Sequence, residues 1–378
     1  MMKRRSCFIS AGERSGDLLA ADLVSALKET NPDLTFTGIA GQLMRKAGVK
    51  ALWPLEALNV MGLVDVLKQA PDLRMLERRV MSHVDRNPPH LAILVDYPGF
   101  HFRLAEQFKL RGIPVVQYVA PKVWAWGSSR VAKLQRDFEL VLGILPFEGD
   151  FFELNQVPWK YVGCPHIKRL DGIRVSRRDF GLPEDRKLIA CLPGSRMTEV
   201  TRILPILGML RSCIASRRSD VDFVVPVSGN LPFEDICALL PRDQAKGMHF
   251  VREKSLDVMS LADAAIVASG TATLECALLE TPMVVVYSMD EISYQLAKSK
   301  LKVPWASLVN LCLNREAVPE FIQDIDYETV TSLILDLLDD GPVRKAQKDS
   351  FVELRQRMGQ EPGAALAAQY ILPFLSNP

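Results

Sequence analysis

The sequence has no apolar run of about 20 uncharged residues, so nothing in its 378 residues is expected to span a bilayer. It has no CxxC pair. The seven cysteines, Cys7, Cys164, Cys191, Cys213, Cys237, Cys276 and Cys312, are odd in number and scattered. That argues against a disulfide framework or a structural zinc site and fits a reducing, cytoplasmic compartment. There is no HExxH and no carboxylate-rich metal loop, so neither metal nor cofactor is called for. Neither GxxxxGK[ST] nor a GxGxxG after the first strand occurs, which leaves P-loop and dehydrogenase readings without support. Net charge of one sign is also missing: the balance is +1, which disfavours a general nucleic-acid binder. Lys3-Arg4-Arg5 is followed by only a short apolar run, so no secretory leader is expected.

What is present is an ordinary globular composition, 48% hydrophobic and 24% charged, at a length that suits two domains. Short apolar runs alternate with helical patterns. Cys7 to Ala11, Phe36 to Ile39, Leu91 to Val95, Val115 to Val119, Leu140 to Leu145 and Tyr161-Val162 read as strands. A helix is expected over about Leu18 to Lys28. Leu91 to Val95 has no polar alternation, as in a parallel strand covered on both faces. Residues from about Lys168 to Lys187 are polar and read as a linker. Alternation then restarts at Leu188 to Leu192, Phe223 to Val227, His249 to Val251, Ala264 to Ala268 and Met283 to Tyr287, and the chain reads as helical from Tyr327. The expectation is an α/β protein of two doubly wound parallel sheets, with ligands at the carboxyl ends of strands and in a cleft between domains. The boundaries are 1–167, 168–345 and a C-terminal helical segment 346–378 with the option of packing back on the first domain.

Two turns carry the strongest chemical signal. Leu188 to Leu192 runs into Pro193-Gly194-Ser195-Arg196, and Ala264 to Ala268 into Ser269-Gly270-Thr271. Strand-to-helix turns of Gly and Ser present backbone N–H groups at the positive end of a helix, and Arg196 adds a charged fork. Either turn alone also reads as a hydroxyl-capped connection; the pair favours a diphosphate. Glu275, one turn on, suits ribose hydroxyls. Asp96, at the end of a buried strand, is either a general base, with a pKa raised if burial desolvates it, or a turn-capping residue before Pro98-Gly99. Gly12, Glu13, Ser15 and Asp17 form a loop suited to hydroxyl-rich ligands, or a helix N-cap. Trp124 and Trp126 line a sugar or acyl site, or lie in the core. Arg130 and Lys133 lie on a helix face that is usually only solvated. Val60, Met61, Leu63, Val64 and Leu67, close to Lys68, Arg74, Arg78 and Arg79, form either a membrane-surface helix or a core helix.

Taken together, Ser10 to Asp17, Asn59 to Val64, Asp96 to Phe100, Tyr118 to Trp126, Leu145-Pro146-Phe147-Glu148, Leu192 to Arg196 with Glu199-Val200, Ala268 to Glu275 and Val309-Asn310-Leu311 resemble, in order and spacing, the lipid A disaccharide synthases. These are inverting glycosyltransferases of the two-lobed GT-B architecture. The resemblance implies transfer of 2,3-diacylglucosamine from UDP-2,3-diacylglucosamine to the 6-hydroxyl of 2,3-diacylglucosamine 1-phosphate, giving a β-1,6 disaccharide and UDP. It implies Asp96 as base and Gly194, Ser195, Arg196, Ser269, Gly270, Thr271, Glu275, Asn310 and Gln323 on the UDP side. It assigns Gly12, Glu13, Ser15, Asp17 and Trp124 to the acceptor sugar and the Val60–Leu67 stretch to acyl chains or membrane. Arg130 and Lys133 become candidates for the acceptor phosphate or lipid headgroups. The partners implied are the two acylated sugars and the cytoplasmic face of the inner membrane, bound peripherally; a homodimer is left open. The chain departs from the family's habit at Cys164 (usually His), at His101 (usually Asn) and at Ala40-Gly41-Gln42 (usually a paired Gly). Two other readings stay open: a different GT-B UDP-sugar enzyme, either an epimerase or a transferase with another acceptor, and a non-catalytic paralogue.

Overall fold

A computed structural model of the chain describes residues 5–56, 70–125, 127–300, 303–360 and 363–376. Its contacts divide it into two compact units, residues 1–165 with 360–378, and residues 166–359.

The first unit holds a seven-stranded sheet, all parallel, in the order β3-β2-β1-β4-β5-β6-β7. The strands are β1 (Ser6–Ala11), β2 (Thr35–Ala40), β3 (Val49–Pro54), β4 (Leu91–Val95), β5 (Val115–Tyr118), β6 (Leu140–Gly143) and β7 (Trp159–Tyr161). Every residue of β4 is buried, as its unbroken apolar run requires. The chain order reverses between β1 and β4, where Ala11 pairs with Val95. Such a switch point opens a crevice at the carboxyl ends of its two strands.

The second unit repeats the plan with six parallel strands in the order β10-β9-β8-β11-β12-β13. They are β8 (Lys187–Leu192), β9 (Val221–Val227), β10 (Met248–Arg252), β11 (Ala264–Ala268), β12 (Met283–Tyr287) and β13 (Glu320–Ile322). Its switch point lies between β8 and β11, where Leu192 pairs with Val267. Ile189, Cys191, Val225 and Ile266 from the sheet pack with Ile203, Leu207 and Leu210 of the Met197–Arg217 helix and with Val330, Ile334 and Leu337 of the Tyr327–Leu338 helix.

The C-terminal segment divides. The Pro342–Met358 helix stays with the second unit, where Gln347 bonds both backbone groups of Met283. Residues from 360 return to the first unit, where the Ala364–Ile371 helix packs on the Arg14–Thr30 helix. No helix among the described residues is long and apolar enough to cross a membrane.

Candidate functional site

At the first switch point, β1 delivers Gly12 and Glu13, and β4 delivers Asp96 and Tyr97. The Tyr97 ring lies directly against Gly12: a β-carbon there would sit 2.0 Å from the ring's Cγ, so only glycine fits. Asp96 and Tyr97 both adopt the left-handed region, with φ of 53° and 50°. Val119, at the end of β5, does so too at 70°. Each such residue costs about 1–3 kcal/mol and needs a surrounding that enforces it. Two buried side chains do so. The Gln117 amide donates to the carbonyls of Asp96 and Val119, each at 3.2 Å. His101 has Nδ1 2.6 Å from the Asp96 carbonyl and Nε2 2.9 Å from Ser10 Oγ. A carbonyl only accepts, so Nδ1 carries the proton and Nε2 receives the Ser10 hydroxyl. Burial pushes His101 down to about 4, against the opposing bond to Asp96, and the ring is neutral. Asp96 itself is half-buried rather than enclosed.

Glu13 is half-buried and Ser15 exposed at the start of the Arg14–Thr30 helix. Asp17, assigned to the same ligand-facing loop, is turned inward. Its two carboxylate oxygens accept from Leu43 N at 2.9 Å and Met44 N at 3.1 Å, capping the Gln42–Lys46 helix. The sugar-binding reading of Asp17 is corrected to a cap. Trp124 likewise takes the core alternative. It is buried, its indole donates to Glu148 Oε1 at 3.1 Å, and its ring stands edge-on to Phe147 at 4.8 Å. Glu148 is enclosed, and burial raises its carboxyl to about 8, with the Trp124 bond opposing. Arg130 and Lys133 are exposed, Arg130 lying 5.9 Å from the Phe102 ring centre. Cys164 is buried. Trp126 and the whole Val60, Met61, Leu63, Val64, Leu67 stretch lie outside the described residues.

At the second switch point the two turns lie side by side, after β8 and β11. The Met197–Arg217 helix starts at Arg196. The N–H groups of Ser195 and Arg196, assigned from sequence to a phosphate, donate to Glu199 Oε2 at 3.1 and 3.3 Å, and Arg196 Nη1 donates to Oε1 at 3.1 Å. A carboxylate of the chain thus fills the anion seat. Gly194, with φ of 107°, makes room for it: a β-carbon would lie 2.6 Å from Glu199 Oε2. Burial first and the Glu199 charge next raise the Tyr287 hydroxyl, at the end of β12, above its ordinary value.

The β11 turn is different. A β-carbon on Gly270, at φ 153°, would meet nothing within 4 Å, so this turn opens on free space with Thr271 exposed. Glu275 is half-buried one turn along. Ser269 Oγ donates to Ala306 O at 3.0 Å, and Thr273 Oγ1 donates to Gly270 O at 2.8 Å while accepting from Leu308 N at 3.3 Å. Glu320 then fixes the partner loop, accepting from Ala306 N, Ser307 N and Asn310 Nδ2 at 2.7, 2.9 and 2.7 Å.

Asn310, expected on the nucleotide side, is fully buried. Its Oδ1 accepts from Ala317 N and Val318 N, and its Nδ2 donates to Val318 O and Glu320 Oε1, which uses the whole capacity of the amide. Its direct contact with a nucleotide is corrected to support of the loop behind the β11 turn. Gln323 binds Met289 by both backbone groups, at 3.1 and 3.0 Å, and holds the segment after β12. Ser10, Gln117, Glu320 and Thr273 were not singled out from sequence. Only Glu199 had a readable signal, as a glutamate three residues beyond a helix start.

Two parallel sheets with this strand order, each placing its loops at a switch point, define a GT-B glycosyltransferase fold. Solved structures with it include the glycotransferase of kitacinnamycin (TM-score 0.67, 14% identity, covering 99% of this chain and 100% of that one). Another is a UDP-GlcNAc 2-epimerase from Neisseria meningitidis bound to UDP-GlcNAc (TM-score 0.64, 13% identity, 97% and 99% covered). At these identities they establish the fold alone. The chain belongs to the lipid-A-disaccharide synthase family: the family's sequence model, described as lipid-A-disaccharide synthetase, matches residues 7–369. The lipid-A-disaccharide synthase of Myxococcus xanthus (strain DK1622) is 36% identical over 373 residues, 97% of each chain. That of Anaeromyxobacter sp. (strain K) is 38% identical over 361 residues, 95% of this chain and 94% of its own.

Proposed function

We propose how the chain divides the work of the disaccharide synthase reaction, in which 2,3-diacylglucosamine passes from its UDP conjugate to 2,3-diacylglucosamine 1-phosphate. The second unit takes the donor. The open turn Ser269-Gly270-Thr271 receives the diphosphate, Glu275 the ribose, and Ser195-Arg196 a phosphate that displaces the Glu199 carboxylate from their N–H groups. As the glycosidic bond to UDP breaks, negative charge grows on the departing phosphate, and helix-end N–H groups and Arg196 stabilise it. The first unit activates the acceptor. Asp96 removes the proton of the 6-hydroxyl, while Gly12, Glu13 and Ser15 bind the sugar beside it.

The observation that carries this reading is the pairing of motifs by the two switch points: Gly12 with Asp96 at one, and Ser195 with Ser269 at the other. Peripheral membrane attachment through Val60, Met61, Leu63, Val64 and Leu67 belongs to the same proposal. It draws support from their apolar character and from the exposed Arg74, Arg78 and Arg79 of the helix that follows. Mixing the acylated donor and acceptor with the protein tests the reaction: the expected products are the disaccharide and UDP, and a folded protein that yields neither overturns it. Cosedimentation with anionic vesicles tests attachment, and an unbound protein would dismiss it.

A further inference from the structure

We infer that His101, seconded by Gln117, is a positioning residue that aims the Asp96 carboxylate; the inference rests on the reading of Asp96 as the base. Asp96 stands between two fixed peptide groups. Its own N–H donates to Tyr118 O at 2.9 Å. Its carbonyl receives two buried donors, His101 Nδ1 at 2.6 Å and Gln117 Nε2 at 3.2 Å. With φ at 53°, the direction of the Asp96 side chain from its α-carbon is set by these bonds and not by a regular strand or helix. Release of the carbonyl lets the residue relax toward the more populated extended or right-handed regions, which would swing the carboxylate away.

His101 is suited to this task and to no direct one. It is wholly enclosed, so no substrate reaches it. Its far nitrogen is held by Ser10 Oγ of β1 at 2.9 Å, so the ring is braced at both ends between the two strands of the switch point. The Tyr97 and Phe100 rings lie 5.9 and 6.1 Å from it, centre to centre, Tyr97 nearly perpendicular. Burial keeps the ring neutral, which preserves a single tautomer and one donor direction.

The two halves of the imidazole separate by substitution. His101→Asn places an amide nitrogen near the Nδ1 position, which retains the bond to Asp96 and gives up Ser10. His101→Gln reaches the Nε2 position, which retains Ser10 and gives up Asp96. With the acylated donor and acceptor as substrates, His101→Asn is expected to stay within about threefold of the native kcat. His101→Gln is expected to lose about ten- to a hundredfold in kcat, as displacement of a reacting group does, with KM for the donor and affinity for UDP unchanged. Gln117→Leu, which removes the second donor, should show the same split and serves if His101→Gln does not fold. A folded His101→Gln or Gln117→Leu protein with native kcat overturns the inference. So does an equal fall of kcat in His101→Asn and His101→Gln, which marks a merely structural ring. A native protein that makes no disaccharide sinks the reaction itself, and Asp96→Ala with native turnover sinks the base; both are read separately from the His101 pair.

Discussion

Asp96 is the one carboxylate at the first switch point whose backbone is held in an unfavourable region by buried donors. If it takes the acceptor proton, Asp96→Ala lowers kcat by about 10²–10⁴. Affinity for UDP, which the proposed function assigns to the second unit, stays as it is, by calorimetry. Glu148 gives a different, pH-dependent expectation. Its carboxyl rises from the ordinary 4.5 to about 8 in the folded protein because it is enclosed. Between those values the folded state keeps a proton that the unfolded chain releases, so stability falls as pH rises through the window, by up to about 1.4 kcal/mol per pH unit. Glu148→Gln keeps an acceptor for the Trp124 indole and removes the ionisation. Denaturant midpoints at several pH values should slope downward from about 4.5 to 8 in the native protein and be flatter in the variant. Equal slopes would place the proton elsewhere.

At the scale of an element, the start of the Met197–Arg217 helix is the informative one. Its N-terminal N–H groups attract an anion, and Glu199 supplies one from within. On the proposed function, a phosphate of UDP at this seat competes with that carboxylate. Glu199→Gln keeps the side chain's length but not its charge, so UDP should bind several-fold tighter, by calorimetry. Weaker binding would instead show that Glu199 serves by holding Arg196 in place. These elements also show what was legible in the sequence. β4, β8 and β11 are buried on both faces and read directly as unbroken apolar runs. β3, at the sheet edge and mostly half-exposed, and β13, three residues long, leave no such run and were not read. The positions of Asp96, Gly12, Ser195 and Ser269 followed from strand ends. The direction of a polar side chain did not: Asp17 and Asn310 lie in first turns of helices and Gln323 just after β13, all in motifs of the right composition, yet each spends most of its hydrogen bonds on backbone groups. A residue's neighbours in sequence do not disclose which backbone groups a distant segment leaves to be satisfied.

For the molecule as a whole, the proposed division of the reaction follows the division into two units. The first unit is completed by the chain's last helices, since the Ala364–Ile371 helix buries Ala367, Ala368 and Ile371. Removal of residues 360–378 is therefore expected to lower the melting temperature of the first unit and abolish turnover. UDP affinity, which the proposed function assigns to the second unit, should be largely retained. A truncated protein with native melting and turnover would dismiss this account.

The same arrangement sets an order of events during synthesis. Residues 166–359 form one continuous stretch, and all of them are translated before residues 360–378. The unit that holds residues 1–165 must wait, with the face of its Arg14–Thr30 helix that meets the Ala364–Ile371 helix uncovered, until residues 360–378 have emerged from the ribosome. The two parts of the first unit thus meet only after the whole of the second unit's sequence has been made.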